Sequence, residues 1–182
     1  MKKLMIAAAI VCAAVCANAA QYTWKTPNTG KVYAGTTSDL FSGDAYIFGY
    51  ANSTAAAAGQ AAIFAALADG KDITTLGSLD KSAVASGVIS VKDDAFNYNG
   101  NISAFFAIVD GDNFYIGPAV DATAKEVGAA AISFNAKASS QAAAKMAADG
   151  YKGAGWYTVP EPTSGLLLLL GVAGLALKRR RA

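Results

Sequence analysis

Two apolar runs, each set beside basic residues, bracket this 182-residue chain and take both of its ends out of any globular core. In front, Lys2 and Lys3 precede the apolar residues 4–15, and Ala17-Asn18-Ala19 follows. Behind, Val159-Pro160-Glu161-Pro162-Thr163-Ser164 opens onto residues 165–177, which stop at Lys178, Arg179, Arg180 and Arg181. The fold has to come from residues 20–158. That length suits one domain, burying roughly two-thirds of its unfolded surface.

The front segment has the form of a secretory signal: a charged start, an apolar stretch, and the small residues Ala17 and Ala19 placed for signal peptidase, giving a mature start near Ala20. The stretch is short of the roughly 20 residues that a spanning helix needs. Lipoprotein processing requires a cysteine after Leu-small-small, whereas Cys12 and Cys16 each follow a valine. Export of residues 20–158 is the expectation.

Residue types then restrict the chemistry. Both cysteines fall in the segment expected to be removed, and the chain has no histidine. The mature protein therefore has no thiol nucleophile, no disulfide, no imidazole base and none of the usual zinc ligands. The net charge of +2 comes from the ends: residues 20–159 hold nine Lys, no Arg, eleven Asp and one Glu, a balance of −3. A weakly acidic domain without guanidinium groups or a basic stripe is a poor partner for nucleic acid. No cofactor or metal is expected, and the chain is not expected to be an enzyme.

Strand signals are short and rich in aromatic and β-branched residues, at 45–50, 87–91, 104–109, 114–117, 130–135 and 155–159. Asp110-Gly111-Asp112-Asn113 between two apolar runs predicts a hairpin. Because those runs do not alternate, both faces of each strand should be covered. Two alanine-rich helices are expected to cover them. One spans 55–68, capped from Asn52-Ser53-Thr54, with Ile63, Phe64 and Leu67 on one side and Asp69-Gly70 as the stop; the other spans 141–148 after Ser139-Ser140. Residues 78–84 read equally as a short helix or a loop. The expected fold is α+β, a mainly antiparallel sheet packed by two Ala-rich helices, with a further hydrophobic helix over 165–177.

Candidate chemistry is sparse. Asp110-Gly111-Asp112-Asn113 offers oxygens to Ca²⁺ but lacks the spacing and closing Glu of an EF-hand loop, and a metal-free turn is the plainer reading. Asp93-Asp94 could serve glycoside hydrolysis, yet adjacent strand residues point to opposite faces. Gly153-Ala154-Gly155 lacks the third glycine and helix of a dinucleotide loop. Tyr22, Trp24, Tyr33, Tyr98, Trp156 and Tyr157 would make a sugar-stacking platform if exposed together; core packing is the plainer role. Asn52-Ser53-Thr54 and Asn101-Ile102-Ser103 are formal glycosylation sequons, meaningful only in a eukaryotic secretory route.

The tail is more specific. Thirteen apolar residues make about 20 Å of helix, short of the roughly 30 Å hydrocarbon core unless its flanks contribute. Lys178, Arg179, Arg180 and Arg181 would stay cytoplasmic by the positive-inside rule, placing residues 20–159 outside the inner membrane. Pro160 and Pro162 fix φ at their own positions and push the preceding residues toward extended backbone, a readable segment next to the membrane. In this order, polar motif, apolar run and basic cluster, residues 159–182 resemble the PEP-CTERM protein-sorting domain of exopolysaccharide-producing Gram-negative bacteria. The resemblance implies recognition at Pro160-Glu161-Pro162 by an exosortase, a membrane cysteine transpeptidase, and transfer of the exported domain to the cell surface or matrix. The family usually shows Ser-Thr where this chain has Thr163-Ser164.

Two functions therefore fit residues 20–158. One is a structural or adhesive component of the envelope or biofilm. The other is a carbohydrate-binding module or carboxylate-based hydrolase acting on surface polysaccharide, recognisable by an exposed aromatic row or by two carboxylates in a cleft.

Overall fold

The computed structural model describes residues 19–26, 31–34, 39–89, 95–134 and 144–159. Eleven strands and one α-helix are formed there: β1 Ala19–Lys25, β2 Gly43–Tyr50, α1 Ser53–Ala68, β3 Asp80–Ala85, β4 Val88–Ile89, β5 Phe96–Asn99, β6 Ile102–Asp110, β7 Asn113–Ile116, β8 Val120–Ala122, β9 Ala130–Ser133, β10 Lys145–Met146 and β11 Gly155–Thr158. Short 3₁₀ turns occupy Ile73–Thr75 and Ala147–Asp149.

The strands make two sheets. The larger runs β10-β11-β7-β6-β2-β3-β4, with β8 pairing the start of β6; the smaller runs β5-β1-β9. Within the large sheet only β10 and β11 pair in parallel. In the small sheet β1 is antiparallel to β5 and parallel to β9, joining segments far apart in sequence, as in Tyr22 opposite Ala130.

Strand β6 forms the middle of the molecule, and residues 102–108 are buried without interruption. Its even positions, Ile102, Ala104, Phe106 and Ile108, face the small sheet. There Trp24, Phe134, Phe106, Tyr115 and Trp156 form a chain of ring contacts with centroids 5.2 to 6.1 Å apart. The odd positions Phe105 and Ala107 face α1, in a second core with Phe48, Phe64, Phe114 and Tyr157. Trp24 Nε1 donates to Asp80 Oδ2 at 2.8 Å, tying the two sheets together. Edge-on and offset ring pairs add to area burial, so two aromatic layers hold this domain without a disulfide.

The hairpin forms as its sequence predicts: β6 and β7 pair through Asp110 and Asn113, leaving Gly111-Asp112 as a two-residue loop. Gly111 carries a φ of 58°, the left-handed value that this loop needs at its first position. Helix α1 also starts where its capping residues lie, with Asn52 Oδ1 accepting from the Ala55 amide at 2.9 Å. Ile63, Phe64 and Leu67 are buried.

The α+β expectation with two packed helices is corrected. The described domain is mainly β-sheet with one α-helix. Of the expected helix over 141–148, residues 141–143 lie outside the described residues, while Lys145–Met146 is a strand pairing β11 and Ala147–Asp149 a 3₁₀ turn. The reason is burial. Helix α1 has three large apolar anchors on one side, whereas the later segment has only Met146, which is exposed. Alanine propensity without a buried face does not hold a helix. Residues 78–84, read as helix or loop, contain most of β3, where Ser82 and Val84 alternate inward. The hydrophobic helix expected over 165–177 and the signal segment 1–18 lie outside the described residues; among the described ones no helix is long and apolar enough to cross a membrane.

Candidate functional site

The chain leaves the sheet at the end of β11, and two bonds fix that exit. The Thr158 hydroxyl donates to Asn113 Oδ1 at 2.7 Å, and the Val159 amide donates to the Asp112 carbonyl at 2.9 Å. Both acceptors belong to the β6–β7 turn, so the central hairpin holds Thr158 and Val159, the last described residues, in place.

Beside the exit is an open cavity of about 680 Å³ between the C-terminal end of α1 and that turn. Buried Leu67, Ile73 and Phe114 contribute its apolar part, together with Val159; Asp69, Lys71, Asp72 and Asp112 are its exposed polar residues. Asp72 is occupied as a cap: its Oδ1 accepts from the Thr74 amide at 2.9 Å, and that bond holds the carboxyl below its ordinary value. A general acid needs the opposite shift.

The other sequence candidates separate cleanly. In the Asp110 to Asn113 turn, the Asn113 side chain and the Asp112 carbonyl already serve the exit. Among the described residues no group of three or more acidic side chains is placed to hold a metal ion. Asp93 and Asp94 lie outside the described residues. Around Gly153-Ala154-Gly155 the carbonyls of Lys152, Gly153 and Ala154 face the Lys145 ammonium at 2.8, 3.4 and 3.2 Å. That loop presents oxygens to a cation, the reverse of a phosphate cradle. Tyr22, Trp24, Trp156 and Tyr157 are in the two cores, and Tyr33 and Tyr98 are half-buried, so these six make no exposed platform. The sequon asparagines cap and brace: Asn52 caps α1, and Asn101 Oδ1 accepts from the Ala124 amide at 3.0 Å.

Of the processing residues, Ala19 is the first residue of β1 and pairs with Asn99. Ala17, Pro160, Glu161, Pro162, Lys178, Arg179, Arg180 and Arg181 lie outside the described residues. The exit anchor was missed in sequence, because nothing local links Thr158 to Asn113, 45 residues earlier.

Comparison with known families bears on this same end. Residues 158–181 match the family model of the PEP-CTERM protein-sorting motif. The chain carries a PEP-CTERM sorting motif. It is thereby marked as an exported, exosortase-sorted protein of the envelope. The match starts at Thr158, whose hydroxyl is bonded to Asn113, so the PEP-CTERM segment begins inside the folded sheet. No curated protein and no solved structure gives a significant match to the chain.

Proposed function

We propose that residues 20–158 are a non-catalytic structural or adhesive component of the envelope or biofilm, delivered by signal peptidase at Ala19 and by exosortase at Pro160-Glu161-Pro162, with surface polysaccharide as its partner. The observation that carries this reading is the sorting motif running on directly from a β-strand of a compact two-core domain. Residue types support it: no histidine in the chain and no cysteine after residue 16. The burial of Tyr22, Trp24, Trp156 and Tyr157 disfavours an aromatic sugar platform built from them.

The test compares native cells carrying the intact chain, no chain, or a chain ending at Val159. Loss of adhesion and of matrix retention in both altered strains is the expected result. Unchanged adhesion without the chain, or hydrolysis of matrix polysaccharide by the purified protein, contradicts it.

A further inference from the structure

The groove beside the exit and the sorting segment share a residue. Val159 lines the cavity of about 680 Å³ at the end of α1, and it also belongs to the stretch that matches the sorting motif. Its amide is fixed to the Asp112 carbonyl at 2.9 Å. A chain covers at most about 3.3–3.6 Å per residue, so every bond of Pro160-Glu161-Pro162 lies within about 11 Å of that anchor. An enzyme that closes on one of those bonds has to rest against the domain surface around the exit.

That surface suits a partner in two respects. The first is uncovered apolar area. Val109 follows Phe105 and Ala107 on the face of β6 that carries α1, yet it is 39% exposed, beside buried Leu67, Ile73 and Phe114 in the groove wall. Met146, opposite Thr158 on β10, is 46% exposed. Two of the four exposed large apolar residues among the described ones thus border the exit, and an apolar patch with a polar rim marks a docking surface.

The second is charge. Asp69, Asp72 and Asp112 line the groove against one cation, Lys71, and the C-terminal end of the sixteen-residue α1 adds the partial negative charge of its dipole. The chain's own basic residues 178–181 are not the occupant, because the positive-inside rule keeps them on the cytoplasmic side. An acidic rim over an apolar floor complements an apolar side chain flanked by lysine or arginine. We propose that the groove is a docking surface for the exosortase, taking such a side chain from the enzyme's outward face while the catalytic centre takes Pro160-Glu161-Pro162. The inference rests on the sorting reading above and adds a contact on the folded domain: the motif gives the address, and the groove sets the rate at which it is used.

The test follows conversion of pulse-labelled full chain to the processed form in its native cells. Asp69→Lys with Asp112→Lys should slow conversion at least about tenfold by setting like charges against the enzyme, and Val109→Thr about fourfold. Asp69→Glu with Asp112→Glu should keep the parent rate. So should Asp121→Lys with Glu126→Lys, the same change of charge placed at and beyond β8, which pairs the opposite end of β6. Each purified variant should hold the parent's Tm; where the lysine pair lowers it, Asp69→Asn with Asp112→Asn is read instead and should still slow conversion. The parent rate in the groove variants, or equal slowing by the Asp121 and Glu126 pair, overturns the inference. So does a groove variant that changes sedimentation of the purified chain and not its rate, which assigns the groove to a second copy. Replacing Pro160, Glu161 and Pro162 together by Ala separates the two readings: processing lost there but unaltered in the groove variants removes the docking surface and keeps the motif, whereas a parent that is never processed removes both.

Discussion

Residues 19–159 and residues 160–181 hold their information in opposite ways. In the first, the distinctive side chains are turned inward: Trp24, Trp156, Phe105 and Phe106 are buried in the two cores that flank the large sheet, and their meaning depends on partners distant in sequence. In the second, the meaning is in the linear order Pro160-Glu161-Pro162, apolar run, basic cluster, which the family model matches through Arg181. The contrast teaches that destination and fold are separable in this chain. The Thr158 and Val159 bonds to the β6–β7 turn hold the last described residues before the motif.

Changes on each side should therefore produce separate effects. The largest is on destination: replacing Pro160, Glu161 and Pro162 together by Ala should abolish surface retention, seen by cell fractionation, with Tm unchanged. A fall in Tm would show that the two regions are not separable. Next, Phe106→Ala removes a ring packed between Tyr115 and Phe134 and should cost about 3–5 kcal/mol in denaturant unfolding. Whatever fraction of that variant is exported should still be processed at the motif. Asn52→Ala deletes the α1 cap and should cost about 1 kcal/mol by the same measurement.

The smallest effect is alkaline. Burial, and then the neighbouring Tyr157, push the Tyr151 phenol up to about 12, and burial pushes Tyr50 up as well. The fold thus favours the neutral phenols, while the unfolded chain ionises near pH 10. Their stabilisation is complete below pH 10 and declines as the pH rises from there toward about 12. Tyr151→Phe should flatten that decline in pH-dependent thermal melts and leave processing untouched.

How much could be read in advance follows the same division. The motif was legible because its recognition is linear. Helix α1 and the β6–β7 hairpin were legible because cap, anchors and turn are neighbours in sequence. Strand β1 was not proposed, although Tyr22 and Trp24 alternate inward, because its partners are β5 and β9, whose register depends on the whole sandwich. Residues 80–85 alternate too, but their Asp, Lys, Ser and Ala read equally as a short helix or a loop and hid the period of two. The segment around Lys145 was misread because alanine favours helix only where a buried face secures it. At the site, the exit bonds of Thr158 and Val159 are tertiary facts with no local signature.

The central claim is that the envelope address is read and used at Pro160-Glu161-Pro162. Intact mass of the protein recovered separately from membrane, surface matrix and medium of its native cells tests it most directly. A surface form beginning at Ala20 and ending between Pro160 and Pro162, with the mass of an attached surface component added, is the expected result. A single species extending to Ala182 in every fraction would contradict it.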